Sequence, residues 1–306
     1  MLKKAPRNKT LELSEAEVST LAAEAIQLSK KTPVQDLCNQ IIWQDMFEAV
    51  KYMPSGCVDL MIVDPPYNLN KNFGNSTFKM MKADDYAKWL NSWLKITARL
   101  LKDNASVYIC TDWRSSISVP AVAEKYFVLQ NRISWEREKG RGAQNNWKNC
   151  LEDIWFFTRS KNYKFNIDAV KVLRPVRAPY TDTSGRPKDW FDTQNQKMRL
   201  TYPSNIWTDI SVPFWSMPEN TPHPTQKPEK LIAKLILASS DEGDVVFDPF
   251  LGSGTTAVVA KKLGRKFIGI EKEREYIAYA IKRLAIADKN RQIQGIKDGI
   301  FTLRNM

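Results

Sequence analysis

Histidine and cysteine, which supply most transition-metal ligands and many catalytic nucleophiles and bases, are scarce in this chain. Of its 306 residues one is a histidine, His223, and four are cysteines, none of them in a Cys-x-x-Cys pair. This scarcity argues against a zinc site and against a histidine-activated serine or cysteine nucleophile, so we expect no metal. The scattered cysteines fit a cytoplasmic protein whose thiols stay reduced.

Long apolar segments are missing as well. A membrane-spanning helix needs a run of about 18 apolar residues, and the sequence contains no such run. The basic residues that follow Met1 lead into no apolar region, which argues against a secretory signal. The sequence therefore predicts no membrane partner.

Acidic residues are outnumbered by basic ones. The chain has 46 lysines and arginines against 34 aspartates and glutamates, which gives a net charge of +12. A basic surface of this size attracts polyanions. Ten tryptophans and ten tyrosines could stack on nucleobases as well as pack a core. Nucleic acid is the partner class that this composition favours, and a basic protein without such a partner is the alternative.

One apolar stretch ends in an unusual cluster of residues. Residues 58–63 predict a buried strand, and it is followed by Asp64, Pro65, Pro66 and Tyr67. Ligands of open α/β sheets bind at the carboxyl ends of strands. Neither proline has a backbone N–H, so the turn offers hydrogen-bond acceptors, the Asp64 carboxylate and the Pro65 carbonyl, beside the Tyr67 ring. Such a turn suits an NH2 group on a flat molecule, and a plain proline turn is the alternative.

A second pattern consists of a strand, a glycine turn, a helix, a strand and an acid. The turn contains Gly252 and Gly254, and the second strand ends at Glu271, at the spacing of a carboxylate that binds ribose hydroxyls. A third glycine, typical of dinucleotide sites, is absent, and so is the Gly-Lys-Ser/Thr of triphosphate sites. Asp248, at the start of the turn, would repel a pyrophosphate and attract a cation. These residues fit S-adenosylmethionine, a sulfonium without phosphates, better than a dinucleotide.

Three motifs carry a resemblance to a known family. Asp64-Pro65-Pro66-Tyr67 resembles motif IV of the S-adenosylmethionine-dependent DNA amino-methyltransferases, residues 248–256 resemble motif I, and residues 223–228 resemble motif X. Their order along the chain is similar to that of the β class. The resemblance covers about residues 41–160 and 220–287. It implies an α/β fold with a Rossmann-like, seven-stranded methyltransferase sheet, mostly parallel with one antiparallel strand, in permuted order and with a small inserted target-recognition domain.

The order of the motifs divides the chain into five predicted segments. They are an N-terminal extension with one amphipathic helix (1–36), the catalytic half of the methyltransferase domain (37–160), the target-recognition insertion (161–222), the cofactor-binding half (223–287) and a C-terminal tail (288–306). The strand that ends at Asp45 is expected to lie beyond the Glu271 strand in the sheet, although it is distant in sequence.

The resemblance also implies roles for individual residues. Asp45 would contact the adenine of the cofactor, Glu271 its ribose, and the motif I turn its methionine part. Thr225, His223 and Lys227 are candidates for binding the carboxylate of that part. The full cofactor set that it implies is Asp45, His223, Thr225, Lys227, Asp248, Phe250, Gly252, Ser253, Gly254, Thr255 and Glu271. A surface or helix-capping role is the alternative for each, and for His223 a structural hydrogen bond.

The catalytic set that the resemblance implies is Asp64, Pro65, Pro66 and Tyr67. Asp64 and the Pro65 carbonyl would accept the N–H groups of a base flipped out of the duplex, with the Tyr67 ring stacked on it. Aspartate at the first position goes mostly with adenine in this family, so we expect an adenine-specific DNA methyltransferase. Cytosine 4-amino methylation on the same fold and a catalytically silent nucleic-acid-binding protein are the alternatives.

Double-stranded DNA is the implied substrate. Basic residues of the 139–148 loop and of the insertion are the predicted DNA contacts: Arg141, Lys148, Arg174, Arg177, Arg186 and Lys188. A solvated face with only nonspecific phosphate affinity is the alternative for each of them. A homodimer and a cognate restriction endonuclease are further partners that the family leaves open.

Overall fold

The computed structural model describes residues 5–74, 76–137, 144–176, 180–186, 188, 190–192 and 197–302. Within these ranges the α-helices are α1 (Glu15–Ala22), α2 (Val34–Leu37), α3 (Met46–Ala49), α4 (Ala83–Ala98), α5 (Ser118–Ala123), α6 (Glu229–Ser239), α7 (Thr255–Lys262) and α8 (Arg274–Lys289). Among the described residues, none of these helices has both the length and the apolar character that crossing a bilayer requires.

The strands alternate with these helices over most of the chain. They are β1 (Gln40–Trp43), β2 (Val58–Val63), β3 (Lys71–Phe73), β4 (Ser76–Phe78), β5 (Leu101–Thr111), β6 (Val128–Glu136), β7 (Leu151–Thr158), β8 (Val172–Pro175), β9 (Trp190–Asp192), β10 (Lys197–Thr201), β11 (Ile206–Trp207), β12 (Val245–Asp248), β13 (Lys266–Glu271), β14 (Ile296–Lys297) and β15 (Ile300–Phe301).

The main sheet is an open, mostly parallel α/β sheet. Its order is β1-β13-β12-β2-β5-β7-β6-β11, and only β7 runs antiparallel to its neighbours. The strand β1 lies beyond β13, with Trp43 opposite Glu271, which confirms the predicted placement. Among the described residues this sheet has eight strands, so the predicted count of seven is wrong by one. The extra strand is β11. It has two residues, lies in a part of the sequence without periodicity, and is too short to leave a periodic signal.

The central strand β2 is buried on both faces of the sheet. Leu60 and Ile62 pack into one apolar core with α6, α7 and α8. Met61 and Val63 point the other way, into a second core with α3, α4 and α5. Successive side chains of a strand alternate between faces, so a continuous apolar run is what a strand covered by helices on both sides requires.

A smaller sheet joins the middle of the chain to its end. Its order is β14-β15-β8-β10-β9, and Phe301 of β15 pairs with Val172 of β8. Beneath it lies a buried ion cluster. Lys234 donates to both carboxylate oxygens of Asp209 at 2.9 and 2.8 Å, and Lys230 lies 3.0 Å from the same carboxylate. The ion cluster therefore ties the segment before motif X to α6.

Removing the carboxylate of this cluster should destabilise the fold. An Asp209→Asn variant leaves the buried ammonium group of Lys234 without the carboxylate it pairs with, and we expect a loss of about 3–5 kcal/mol in the free energy of unfolding. Urea denaturation followed by circular dichroism measures this loss. The matched control is Asp168→Asn, because Asp168 pairs with Lys171 while 75% of its side chain is exposed, so solvent screens the pair. Equal midpoints for the two variants would contradict the prediction.

Candidate active site

A cavity of about 430 Å³ lies at the carboxyl ends of β1, β2, β12 and β13, and its size is that of a small-molecule site. All four predicted catalytic residues line it. So do ten of the eleven predicted cofactor residues, all except Gly254. The structure thus brings together side chains from both halves of the chain, because parallel strands present their carboxyl ends at one edge.

The glycine turn after β12 is shaped by close approaches of the backbone. Gly252 has φ +54°, and a Cβ there would lie 2.8 Å from His223 Nε2. Gly254 caps α7 with φ +87°, and a Cβ there would lie 2.6 Å from the Cβ of Ala280. Both positions therefore need glycine for conformation and for space. Gly254 lies behind the cavity wall and supports the turn.

Two acidic residues at neighbouring strand ends face the cavity. Glu271 accepts backbone N–H groups of Gly252 at 2.8 Å, Lys272 at 2.8 Å and Glu273 at 2.9 Å. Its carboxylate is therefore fixed, with about one of its four acceptor positions left over for a hydroxyl. Burial raises the pKa of Glu271, and the three N–H groups oppose that shift. Asp45 caps α3 by accepting the N–H of Phe47 at 2.9 Å.

The motif I turn is tied to the loop before α6 and to α8. Thr255 donates its hydroxyl to the Lys227 carbonyl at 3.1 Å. Arg283 of α8 donates to the Ser253 carbonyl and to the Thr255 hydroxyl, both at 2.9 Å. Arg283 is itself buried and pairs with Glu229 at 3.0 Å. These bonds hold the wall of the cavity in place.

His223 is a neutral ring in this wall. Its Nδ1 accepts the backbone N–H of Thr225 at 3.3 Å, and its ring packs edge-on against Tyr276 with centroids 4.4 Å apart. Burial, with nearby positive charges, lowers the pKa of His223 to about 3. Its described contacts are those of a structural residue, and its proposed contact with a cofactor carboxylate stays a prediction.

Asp64, at the tip of β2, is held by two donors. Tyr67 donates its hydroxyl to Asp64 Oδ1 at 2.8 Å, and Lys227 Nζ donates to Asp64 Oδ2 at 2.6 Å. The turn itself is fixed by Tyr86, whose hydroxyl donates to the Pro66 carbonyl at 3.0 Å. Lys227, which the resemblance assigns to the cofactor carboxylate, is thus paired with the predicted catalytic carboxylate.

Two further residues of this site were missed from the sequence. Glu152 of β7 lies 3.4 Å from Lys227 Nζ and accepts from Arg137 at 2.6 Å. Both Glu152 and Arg137 line the cavity. A signal was present, because Glu152 and Asp153 are carboxylates in an otherwise apolar strand, but sequence alone does not show which face of β7 they occupy.

A hairpin covers one side of the cavity. The strands β3 and β4 lie in the loop after Tyr67, and Ser76 donates to Glu273 while the Gly74 N–H donates to the Tyr276 hydroxyl at 3.1 Å. Phe73 lies beside His223, with ring centroids 6.4 Å apart. The described residues of this hairpin therefore cover the cavity and rest on the start of α8.

The four predicted DNA contacts that the structure describes, Lys148, Arg174, Arg186 and Lys188, do not line this cavity. Lys148 is exposed and precedes Asn149, which lines the cavity. Arg186 and Lys188 are exposed, and Arg174 is half-buried on β8. Arg141 and Arg177 lie outside the described residues. Among the described residues, no group of three or more histidine, cysteine or acidic side chains has the arrangement of a metal site.

Fold and site together define the class of protein: an open α/β fold in which a glycine turn and an acceptor turn line one cavity at the carboxyl ends of the strands. Residues 58–282 match the family model described as DNA methylase. The chain is 36% identical over 249 residues to the DNA adenine methyltransferase YhdJ of Escherichia coli K12, a match that covers 81% of this chain and 83% of that protein. It is 34% identical over 250 residues to the type II methyltransferase M.HpaI of Haemophilus parainfluenzae, covering 80% and 74%.

A solved structure agrees with these matches. The M1.HpyAVI–SAM complex is 28% identical, superimposes with a TM-score of 0.55, and is matched over 80% of this chain and 98% of that one. The chain belongs to the DNA methylase family, and S-adenosylmethionine is its cofactor. The cavity suits a cation with free hydroxyls, because the carboxyl groups of Asp248 and Glu271 line it and Glu271 has about one acceptor position left over.

The charge of Asp248 should make cofactor affinity depend on pH. Burial raises the pKa of Asp248 to about 7, so the carboxyl is protonated below that value and ionised above it. We expect the affinity for S-adenosylmethionine, whose sulfur is cationic, to increase between about pH 6 and about pH 8, because only the ionised carboxylate attracts it. Titration calorimetry measures the dissociation constant at each pH.

The matched ligand for this test is S-adenosylhomocysteine, whose sulfur is neutral. Its affinity should change less over the same pH range, and an Asp248→Asn variant should remove the difference between the two ligands while keeping the acceptor that binds the Phe250 N–H at 3.0 Å. The same pH dependence for both ligands in the unmodified protein would contradict the prediction.

Proposed function

We propose that this chain transfers the methyl group of S-adenosylmethionine to the exocyclic 6-amino group of an adenine in a specific sequence of double-stranded DNA. The observation that carries this proposal is the shared cavity, in which the Asp64 turn faces the glycine turn and Glu271. Membership of the DNA methylase family and the similarity to the DNA adenine methyltransferase YhdJ support the choice of substrate.

The chemistry follows from the acceptors at the tip of β2. The lone pair of an adenine amine is delocalised into the ring, which makes it a poor nucleophile. Asp64 and the Pro65 carbonyl would accept the two N–H groups, Asp64 with the assistance of its charge, and shift the nitrogen towards sp3 geometry. The amine then attacks the methyl carbon in line, from about 3–3.5 Å, as the carbon–sulfur bond breaks. No covalent enzyme intermediate is needed.

The target base must leave the duplex to reach this cavity. Extrusion costs a few kcal/mol, and stacking on the Tyr67 ring would offset about 1–3 kcal/mol of it. The hydroxyl of Tyr67 is held by Asp64, so the ring stands beside the acceptor carboxylate. This places the proposed stacking surface next to the atoms that would bind the amine.

Segments outside the cavity would recognise DNA. We assign target recognition to residues 161–222 and phosphate contacts to Lys148, Arg174, Arg186 and Lys188, with Arg141 and Arg177 as further candidates. The relatives named as type II methyltransferases support a cognate restriction endonuclease as a partner. We also propose that the protein forms a homodimer and acts in the cytoplasm, where chromosomal DNA is accessible.

The catalytic role of Asp64 has a direct test. An Asp64→Ala variant should bind S-adenosylmethionine with the affinity of the unmodified protein, because the cofactor contacts lie on other strands. Methyl transfer should fall by at least about a hundredfold, since the amine loses its charged acceptor. Transfer of tritium from labelled cofactor to unmethylated plasmid DNA measures the rate, and mass spectrometry of the nucleosides distinguishes N6-methyladenine from N4-methylcytosine.

The matched control is Asp59→Asn, on the same strand but at its other end, where Asp59 pairs with Lys102 at 2.7 Å. It should keep its methyl transfer. Normal turnover of the Asp64→Ala variant would refute the mechanism, and N4-methylcytosine as the product would refute the choice of base.

A pair of arginines on the small sheet supports the assignment to DNA. Arg174 of β8 and Arg199 of β10 are cross-strand partners, although like charges in that position repel. Buried guanidinium nitrogens of both have no hydrogen-bond partner among the described residues. The Arg199 guanidinium lies 5.1 Å from the centre of the Tyr180 ring, which is exposed. An anionic ligand such as a phosphate would relieve the repulsion between the two guanidinium groups.

The salt dependence of DNA binding tests this pair. Arg174→Ala and Arg199→Ala should each weaken binding and reduce the slope of log affinity against log salt by about 1, because each removes one phosphate contact. Fluorescence anisotropy with a labelled duplex at several salt concentrations measures the slope, and cofactor affinity should not change. The control is Lys102→Ala, because Lys102 lies near the start of β5 in the main sheet and pairs with Asp59. An unaltered slope in both arginine variants would contradict the assignment.

A further inference from the structure

Lys227 lies in the cavity wall contributed by the loop before α6, and its side chain is 7% exposed. Its ammonium group touches three groups, and none of them belongs to the glycine turn. Nζ lies 2.6 Å from Asp64 Oδ2, 3.1 Å from the Tyr67 hydroxyl and 3.4 Å from Glu152 Oε2. The lysine therefore binds the acceptor turn and Glu152 of β7.

Glu152 reaches the same place from β7, with 6% of its side chain exposed. One of its oxygens accepts from Arg137 at 2.6 Å, and the other lies 3.2 Å from the Tyr67 hydroxyl. Asp64 and Glu152 are thus two carboxylates on either side of one buried ammonium group. Their charges repel each other, and Lys227 attracts both.

The balance of these charges decides whether Asp64 is ionised. Burial raises the pKa of Asp64; the Lys227 charge opposes this rise, and the Glu152 charge adds to it. Burial raises the pKa of the Tyr67 hydroxyl far above its usual range, so Tyr67 stays a neutral donor. Lys227 stays charged, since the two carboxylates raise its pKa against the effect of burial.

The other titratable groups around Asp64 come from every neighbouring element. Asp248 lies at the end of β12, Cys110 on β5 and Tyr86 on α4, and each has its pKa raised by burial with a smaller contribution from the Asp64 charge. Asp112, after β5, and Arg137, after β6, also line the cavity. Of the two cationic side chains that face Asp64, Lys227 contacts it directly. Arg137 is bonded to Glu152 instead.

We propose that Lys227 and Glu152 are positioning residues for methyl transfer that act on Asp64 in opposite directions. Lys227 keeps Asp64 ionised and fixed as the acceptor of the target amine. Glu152, anchored by Arg137, holds the Lys227 ammonium and the Tyr67 hydroxyl in place. Each carboxylate oxygen of Asp64 has two acceptor sites, so the amine can bind while Lys227 and Tyr67 remain bonded. This inference rests on the proposed function.

The pH dependence of the reaction tests the proposal. Single-turnover rates are measured from about pH 5 to about pH 9 with saturating tritiated S-adenosylmethionine and unmethylated plasmid DNA. In a Lys227→Met variant, the midpoint of the acid limb should move up by about 1–3 pH units, because Asp64 loses its counter-charge. In a Glu152→Gln variant the midpoint should move down, or leave the range, because a like charge is gone. Lys227→Arg should keep the midpoint of the unmodified protein.

The matched control is Lys234→Met, which also removes a buried ammonium group but one paired with Asp209. It should lower the amount of folded enzyme and leave the midpoint of the acid limb unmoved, because Lys234 does not contact Asp64. If Lys227→Met does not fold, the Glu152→Gln and Lys227→Arg variants still test the proposal, since a shift in the wrong direction overturns it.

Two other results would also overturn the inference. One is an acid limb that stays in place, or moves in the same direction, in Lys227→Met and Glu152→Gln. The other is a Lys227→Met variant that loses cofactor affinity while its acid limb is unmoved, which would assign Lys227 to the cofactor carboxylate. A failure of the proposed function looks different, because the unmodified protein would then transfer no methyl group to DNA at any pH.

Discussion

The contact between Lys227 and Asp64 joins residues that are 163 positions apart, with 2.6 Å between nitrogen and oxygen. A carboxylate at a buried strand tip loses much of its hydration, which raises its pKa, and a nearby positive charge opposes that rise. The ammonium group that does so comes from the loop before α6. The docking of α6 on the sheet therefore sets the charge next to Asp64, and Arg283 and Thr255 connect the same loop to the glycine turn.

Four of the acidic side chains that line the cavity follow or end β1, β2, β12 and β13, namely Asp45, Asp64, Asp248 and Glu271, and each is stabilised differently. Asp45 caps a helix, Glu271 binds three backbone N–H groups, Asp248 binds one, and Asp64 pairs with a lysine. Only the last has a full counter-charge. The resulting negative potential suits a cationic cofactor and disfavours a pyrophosphate, so the charge of the site and the identity of the cofactor agree.

Local patterns predicted much of this arrangement. The apolar run of β2, the acceptor turn after it and the Gly252–Gly254 turn are short segments whose conformation depends on neighbouring residues. The position of β1 beyond β13 came from the family resemblance and is confirmed. The strand β11 and the pairing of β15 with β8 were not foreseen. They involve two or four residues each, and long-range pairing of such short strands is decided by the surface that is available to them.

The sequence by itself determined the central strand, the acceptor turn and the kind of cofactor, because these follow from periodicity, from proline and glycine conformation and from the charge of nearby side chains. Only the tertiary structure decided which charges meet. Lys227 was assigned to the cofactor by its motif, yet it contacts Asp64, and Glu152 and Arg137 were not singled out at all. Contacts between residues far apart in sequence depend on strand order and on the exact docking of helices on the sheet. Local sequence does not encode either of these.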